Sequence, residues 1–174
     1  MSSCKVMQTH INRSLYMVLC FLSVSVFVSA QQEGGGRLRL TQQELINLKP
    51  SRSGSAPGSS NLRAVQEIVV TGDPSKAGLY TIMLKVAPHT RIPAHKHPDE
   101  RMGTVISGTW YFGYGDKFNE SKVKKLPAGS IYSEVKNQNH FAMTGDEAVI
   151  VEINGYGPSG VTFVDPADDP LHKK

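Results

Sequence analysis

Pro93-Ala94-His95-Lys96-His97-Pro98-Asp99-Glu100 is the stretch on which the reading of this chain turns. In an extended strand, residues two apart project from the same face, so His95 and His97 stand together and Lys96 faces the other way. Past the glycine-marked turn Pro127-Ala128-Gly129, His140 opens another β-prone run. A third imidazole returning from a distant strand can close a ring of nitrogen donors around one metal ion. A His-x-His pair by itself also occurs in solvated loops; the return of His140 makes this one a candidate site.

Outward from this stretch the texture is uniform. From Leu62 on, short β-prone runs are divided by Gly, Pro, Asp and Asn. The spacing predicts strands over Val65–Thr71, Leu79–Val86, Ile92–His97, Gly103–Ile106, Thr109–Tyr114, Val123–Leu126, Ser130–Val135, His140–Thr144, Ala148–Ile153 and Val161–Val164. Short strands at regular spacing with almost no helical periodicity define an all-β sandwich or barrel. Upstream, Thr41-Gln42-Gln43-Glu44 fits a capping box, which predicts a short helix from Thr41 to Leu48. The glycine-rich segment from Gln31 to Leu38 is expected to be a flexible leader, and Pro50 to Ser60 reads as a linker.

The N-terminus reads as a targeting segment. Lys5 and Arg13 form a basic region, Leu15 to Val28 is an apolar run broken by Ser23 and Ser25, and Val28-Ser29-Ala30 ends it with small residues. Cleavage is expected after Ala30, giving a secreted or periplasmic protein. The apolar run falls short of the roughly 20 residues that span a bilayer, so no membrane association is expected after cleavage. Both cysteines, Cys4 and Cys20, lie in this segment, which leaves the remaining chain without a disulfide, a thiol nucleophile or a thiolate ligand. Removing residues 1–30 takes away Lys5 and Arg13 and no acidic side chain, lowering the formal net charge from +4 to +2. The one basic cluster, Lys122, Lys124 and Lys125, has no alternating aromatic residues, so no nucleic-acid partner is expected.

The motifs resemble those of a small single-domain cupin. The resemblance is carried by Pro93 to Glu100, by Val105-Ile106-Ser107-Gly108-Thr109-Trp110, by Leu126-Pro127-Ala128-Gly129-Ser130 and by Asn139-His140-Phe141-Ala142, and it spans roughly Val65 to Val164. It implies a single double-stranded β-helix, the cupin jelly-roll barrel, over residues 62–166. Residues 1–30 are then the signal peptide, 31–61 the leader with its short helix and linker, and 167–174 a charged C-terminal tail. It also implies that His95, His97 and His140 are ligands of one divalent transition metal (Fe, Mn, Ni, Cu or Zn), and that the barrel forms a homodimer through its sheets.

This chain departs from the resemblance in two places. Where the cupin pattern carries its glutamate ligand, seven residues before the turn glycine Gly108, this chain has Arg101, and Glu100 stands one place earlier. Either a bulge at Pro98 swings Glu100 inward as a ligand, or the site is three histidines plus water with Arg101 near the open positions. Arg101 is thus either a buried cation, paired with a substrate carboxylate, Asp99 or Glu152, or an exposed rim residue. The proline and glycine that commonly precede the third histidine are replaced by Val135 and Asn137. His89 reads as a turn residue rather than a fourth ligand. Tyr132, Phe141 and Met143 are the pocket candidates because they neighbour His140, while Trp110, Tyr111, Phe112 and Tyr156 read as core. Asn119-Glu120-Ser121 matches a glycosylation acceptor, and an unmodified turn is the plainer reading.

With no thiol, no nucleotide fingerprint and no Ser-His-Asp context, a metal is the evident source of reactivity. The expectation is an exported metal-binding protein, acting as a metal-dependent enzyme (dioxygenase, isomerase or lyase type) with Arg101 as its candidate catalytic residue, on a small carbonyl- or carboxylate-bearing molecule. The alternatives are a non-catalytic ligand or oxidant sensor, and a structural or storage role.

Overall fold

Among the described residues, alternating apolar side chains give ten strands. They are β1 (Val65–Thr71), β2 (Gly78–Val86), β3 (Arg91–Lys96), β4 (Arg101–Ser107), β5 (Thr109–Tyr114), β6 (Lys124–Pro127), β7 (Ile131–Glu134), β8 (His140–Thr144), β9 (Val149–Gly157) and β10 (Thr162–Phe163). The structure is a computed structural model that describes residues 37–49 and 60–171. These all belong to the unit Gln32–Lys174, and the unit Met1–Gln31 lies outside the described residues. So do the expected signal segment, the glycines of the leader, the linker up to residue 59 and the end of the charged tail.

The strands form two antiparallel five-stranded sheets, ordered β1-β2-β9-β4-β7 and β10-β3-β8-β5-β6. This is the expected all-β jelly roll. Inward-facing residues of β2 (Tyr80, Ile82, Leu84, Val86) and β9 (Val149, Val151, Ile153) meet Ile92, Trp110, Phe112 and Ala142 from the second sheet. Each fully buried aliphatic side chain of this kind contributes about 1.5–3 kcal/mol of transfer free energy. The chain passes from one sheet to the other in the turn between β4 and β5. There Gly108 adopts φ +75°, and a Cβ would run into the Ala148 carbonyl.

Two boundaries differ from the sequence reading by two residues or more, for reasons of pairing. β9 continues to Gly157, because β2 pairs with it along its whole length from Gly78↔Gly157 to Val86↔Val149. β4 starts at Arg101, two residues earlier than expected, because Arg101 pairs with Glu134 on one side and Gly155 on the other.

The N-terminal helix α1 (Gln42–Asn47) has the expected capping box, with Thr41 and Glu44 each accepting from the other's backbone N–H. It is fixed to the first sheet by polar contacts. Lys85 Nζ donates to the carbonyls of Ile46 and Leu48, and Gln42 Nε2 donates to the Ile106 carbonyl. Lys85 lies on the outer side of β2, so the helix rests outside the barrel and away from its core.

Candidate metal centre

Strand register brings the histidines together. His95 lies near the end of β3, His97 just beyond it, and His140 at the start of β8, where His95 and His140 are direct cross-strand partners. A register shift between Ile92 and His95 is essential. Ile92 faces the core, and strict alternation from it would turn His95 outward; the irregularity resets the parity so that both point in.

The three rings are packed against one another, with centroids 4.4 Å apart for His95 and His140, 4.9 Å for His95 and His97, and 5.1 Å for His97 and His140. One ring nitrogen from each lies within 4.8 Å of the others, and all three side chains are buried. Each Nδ1 faces a main-chain carbonyl: His95 that of Pro93 at 2.8 Å, His97 that of Gly160 at 2.6 Å, and His140 that of Gln138 at 3.1 Å. A carbonyl only accepts, so Nδ1 carries the proton in each ring and Nε2 presents a lone pair. For His140 that lone pair is buried with no hydrogen-bond partner.

The environment also keeps the rings neutral. Burial, followed by the neighbouring His140, pushes His95 down to about 3. Burial and then the Arg101 charge push His97 well below its ordinary value, and burial lowers His140 despite the opposing pull of Glu134. Three neutral imidazoles with a shared focus, one of them an orphaned acceptor, fit a divalent transition metal. Anchored Nδ1–H groups are the orienting contacts such ligands require.

The structure decides between the two readings of Arg101. It is buried, and its partner is Glu134, which faces it directly across the β4–β7 ladder. Arg101 Nε donates to Glu134 Oε2 at 2.6 Å, Nη2 donates to the same oxygen, and Nη2 also reaches His97 Nε2 at 2.6 Å. Burial would lower the guanidinium and raise the carboxyl, but each charge overrides this in the other. Arg101 is raised, and Glu134 is held well below the usual carboxylate range.

Neither expected protein partner of Arg101 is used in this way. Asp99 accepts from the Tyr80 hydroxyl at 2.5 Å and from Ser159 Oγ at 2.8 Å, and Glu152 lies on the outward parity of β9 and accepts from Asn154.

Glu100 is not at the cluster. It is exposed, and its carboxylate accepts from the Lys136 N–H at 2.9 Å, as expected for the residue on the opposite parity from Arg101. Two pocket candidates also require correction. On β8, Ala142 shares the inward parity of His140, so Phe141 and Met143 face the other side, where Phe141 packs on Phe118 at 5.4 Å. Their nearness to His140 was nearness along the chain only.

Tyr132 does point inward, but as part of the core, 4.5 Å from Phe112 between ring centroids. Its hydroxyl lies beside Trp110 and Glu134 without hydrogen-bond geometry to either. His89 is an exposed turn residue with φ 53°. Sequence reasoning missed Glu134. The available signal was a carboxylate on the same parity as Tyr132 in a short strand, a placement that demands a buried partner.

A cavity of about 20 Å³ adjoins the cluster, lined by His95, His140, Arg101, Glu134, Trp110 and Phe112 among others. It has room for a ligand the size of water.

No family model matches the chain, and no curated protein matches it. Solved structures do. The chain is similar to a protein with a double-stranded β-helix domain from Klebsiella pneumoniae subsp. pneumoniae (23% identity, TM-score 0.53, covering 75% of this chain and 99% of that one). It is similar to the polyketide cyclase RemF from Streptomyces resistomycificus (16% identity, TM-score 0.58, covering 78% and 90%). It is also similar to the DMSP lyase DddQ from Ruegeria pomeroyi (17% identity, TM-score 0.51, covering 72% and 59%). The fold is therefore the double-stranded β-helix.

Proposed function

We propose that this chain is an exported protein that holds one divalent transition metal through Nε2 of His95, His97 and His140, and that the centre serves as a metal-dependent enzyme of dioxygenase, isomerase or lyase type on a small carbonyl- or carboxylate-bearing molecule. The observation that carries the metal is the buried, unpartnered Nε2 of His140. It converges with two more imidazoles whose protons are all held on the far nitrogen. A lone pair in that position loses its solvation unless something accepts it. When bound, the metal supplies Lewis acidity and lowers the pKa of a water it holds.

The chain's own residues have separable roles. Main-chain carbonyls orient the ligands, and Ile92, Trp110, Phe112 and Ala142 give the cavity beside the centre an apolar wall. The Arg101–Glu134 pair brings no net charge, so Arg101 does not act as an open anchor for a substrate carboxylate. RemF and DddQ are named as a cyclase and a lyase. That supports an enzyme by analogy of fold.

A second reading, a ligand or oxidant sensor, is favoured by one observation: the cavity beside the centre has room for a water-sized ligand. We further propose a homodimer through the outer face of the first sheet, where Leu79, Met102 and Tyr156 are exposed. Sedimentation of the purified protein as a monomer at micromolar concentration would rule that out.

The test of the metal is direct. The full chain, expressed with its own leader and without a histidine tag, is recovered from the exported fraction and measured for metal by mass spectrometry. The expected result is near-stoichiometric metal in wild type and loss in His97→Ala; equal metal in both would overturn the proposal. Turnover of small keto or carboxylate compounds by the loaded protein separates the enzyme from the sensor.

A further inference from the structure

We propose that Glu134 is a fourth protein ligand of this centre, a carboxylate delivered by β7 from directly across the ladder. The inference rests on the metal-binding reading above. Its starting point is a substitution of position: the place on β4 that faces the histidines is occupied by Arg101, and a guanidinium cannot ligate a cation. The residue paired with it across the β4–β7 ladder is Glu134. The carboxylate has thus moved one strand sideways while remaining at the same level of the barrel.

Distances support ligation. Glu134 Oε2 lies 3.6 Å from His97 Nε2 and 3.9 Å from His140 Nε2. Two donors bound to one ion at about 2.1 Å each can be no more than about 4.2 Å apart. Both separations fall inside that limit, and His95 stands farther from the carboxylate, so Glu134 would approach the ion from the His97–His140 side.

Charge supports it as well. A divalent ion among three neutral imidazoles beside an obligate buried cation would be repelled, and Glu134 cancels that cation. Stability alone does not explain the pair, since buried ion pairs contribute little beyond an apolar pair of the same volume.

Arg101 Nη2 lies 2.6 Å from His97 Nε2, the atom whose lone pair a metal would take in its place. The Arg101 Nε bond to Oε2 at 2.6 Å is independent of His97 and keeps the carboxylate aimed at the rings.

The experiment is a Co(II) titration of the full chain, read by visible d–d absorption and by competition with a chelator. The variants are His97→Ala, Glu134→Asp, and the paired Arg101→Gln/Glu134→Gln, which leaves no buried charge unpartnered. The paired variant is expected to keep binding through the histidines, with affinity lower by about 10–100-fold and a d–d band of changed shape and intensity. Glu134→Asp keeps the charge but shortens the reach, and is expected to change the band too. It serves as the test if circular dichroism shows the paired variant unfolded.

Wild-type affinity and spectrum in the folded variants, with binding lost in His97→Ala, would overturn the role of Glu134 and leave the histidine centre standing. Absence of Co(II) binding by wild type would overturn the metal reading and this inference together.

Discussion

Removing Glu134 alone should destabilise the protein far more than removing Glu134 and Arg101 together. Both side chains are nearly dry, at 6% and 2% relative exposure. Glu134→Leu leaves a guanidinium that cannot shed its proton and has lost its carboxylate. Removing one partner of a buried ion pair costs about 3–5 kcal/mol. Arg101→Met/Glu134→Leu removes both charges and fills the space with apolar groups, so it should lie within about 1 kcal/mol of wild type or be more stable. In urea, with a denaturant slope of about 2 kcal/mol/M, the single variant should unfold about 2 M earlier than wild type and the double variant should not. The assay is equilibrium unfolding in the presence of chelator, followed by Trp110 fluorescence and by circular dichroism. If Glu134→Leu costs less than about 1 kcal/mol, the guanidinium reaches water without its partner, and the reasoning from burial fails.

Three further outcomes follow from the same structure. Gly103→Ala places a Cβ against the Tyr132 ring. It should cost about 1–3 kcal/mol in chemical unfolding, and an unchanged midpoint would mean that Tyr132 shifts freely. Tyr80→Phe removes a donor from buried Asp99 and should cost about 1–3 kcal/mol; Tyr80 is pushed up to about 12 by burial, so it remains a protonated donor across the working pH range. Metal-free protein should lose stability on acidification. The unfolded chain protonates its histidines below about pH 6.5, while folded His95 stays neutral down to about 3. The contribution of His95 is therefore complete above about pH 6.5 and falls by up to about 1.4 kcal/mol per pH unit on the way down. His97 and His140 shift in the same direction. A urea midpoint that does not move between about pH 7 and about pH 5 would mean that the folded protein takes up these protons.

The histidines and the strands were legible for the same reason: both are written as periods of two. His95 and His97 share a face by spacing, and the runs that became β1, β5 and β8 alternate between fixed turn residues. The pairing of strands that are not consecutive is not written in that way. Nothing local says that β4 lies beside β7, so nothing local says that Arg101 meets Glu134. Phe141 and Met143 show the converse: a sequence neighbour of a site residue is placed by alternation on the other side of the sheet. The register shift in β3 is a third case, because the inward placement of both Ile92 and His95 contradicts any single parity. Glu100 stayed plausible from sequence because that same region is irregular, and the structure shows its carboxylate on the Lys136 N–H instead.

The carbonyls of Pro93, Gln138 and Gly160 that hold the imidazole protons belong to the main chain. Any residue at those three positions offers the same oxygen, provided the backbone keeps its course. The side chains at those three positions, one in β3 and two in loops, are then open to replacement without altering which nitrogen faces inward, so the tautomers of the centre are set by the course of the backbone rather than by the letters that spell it.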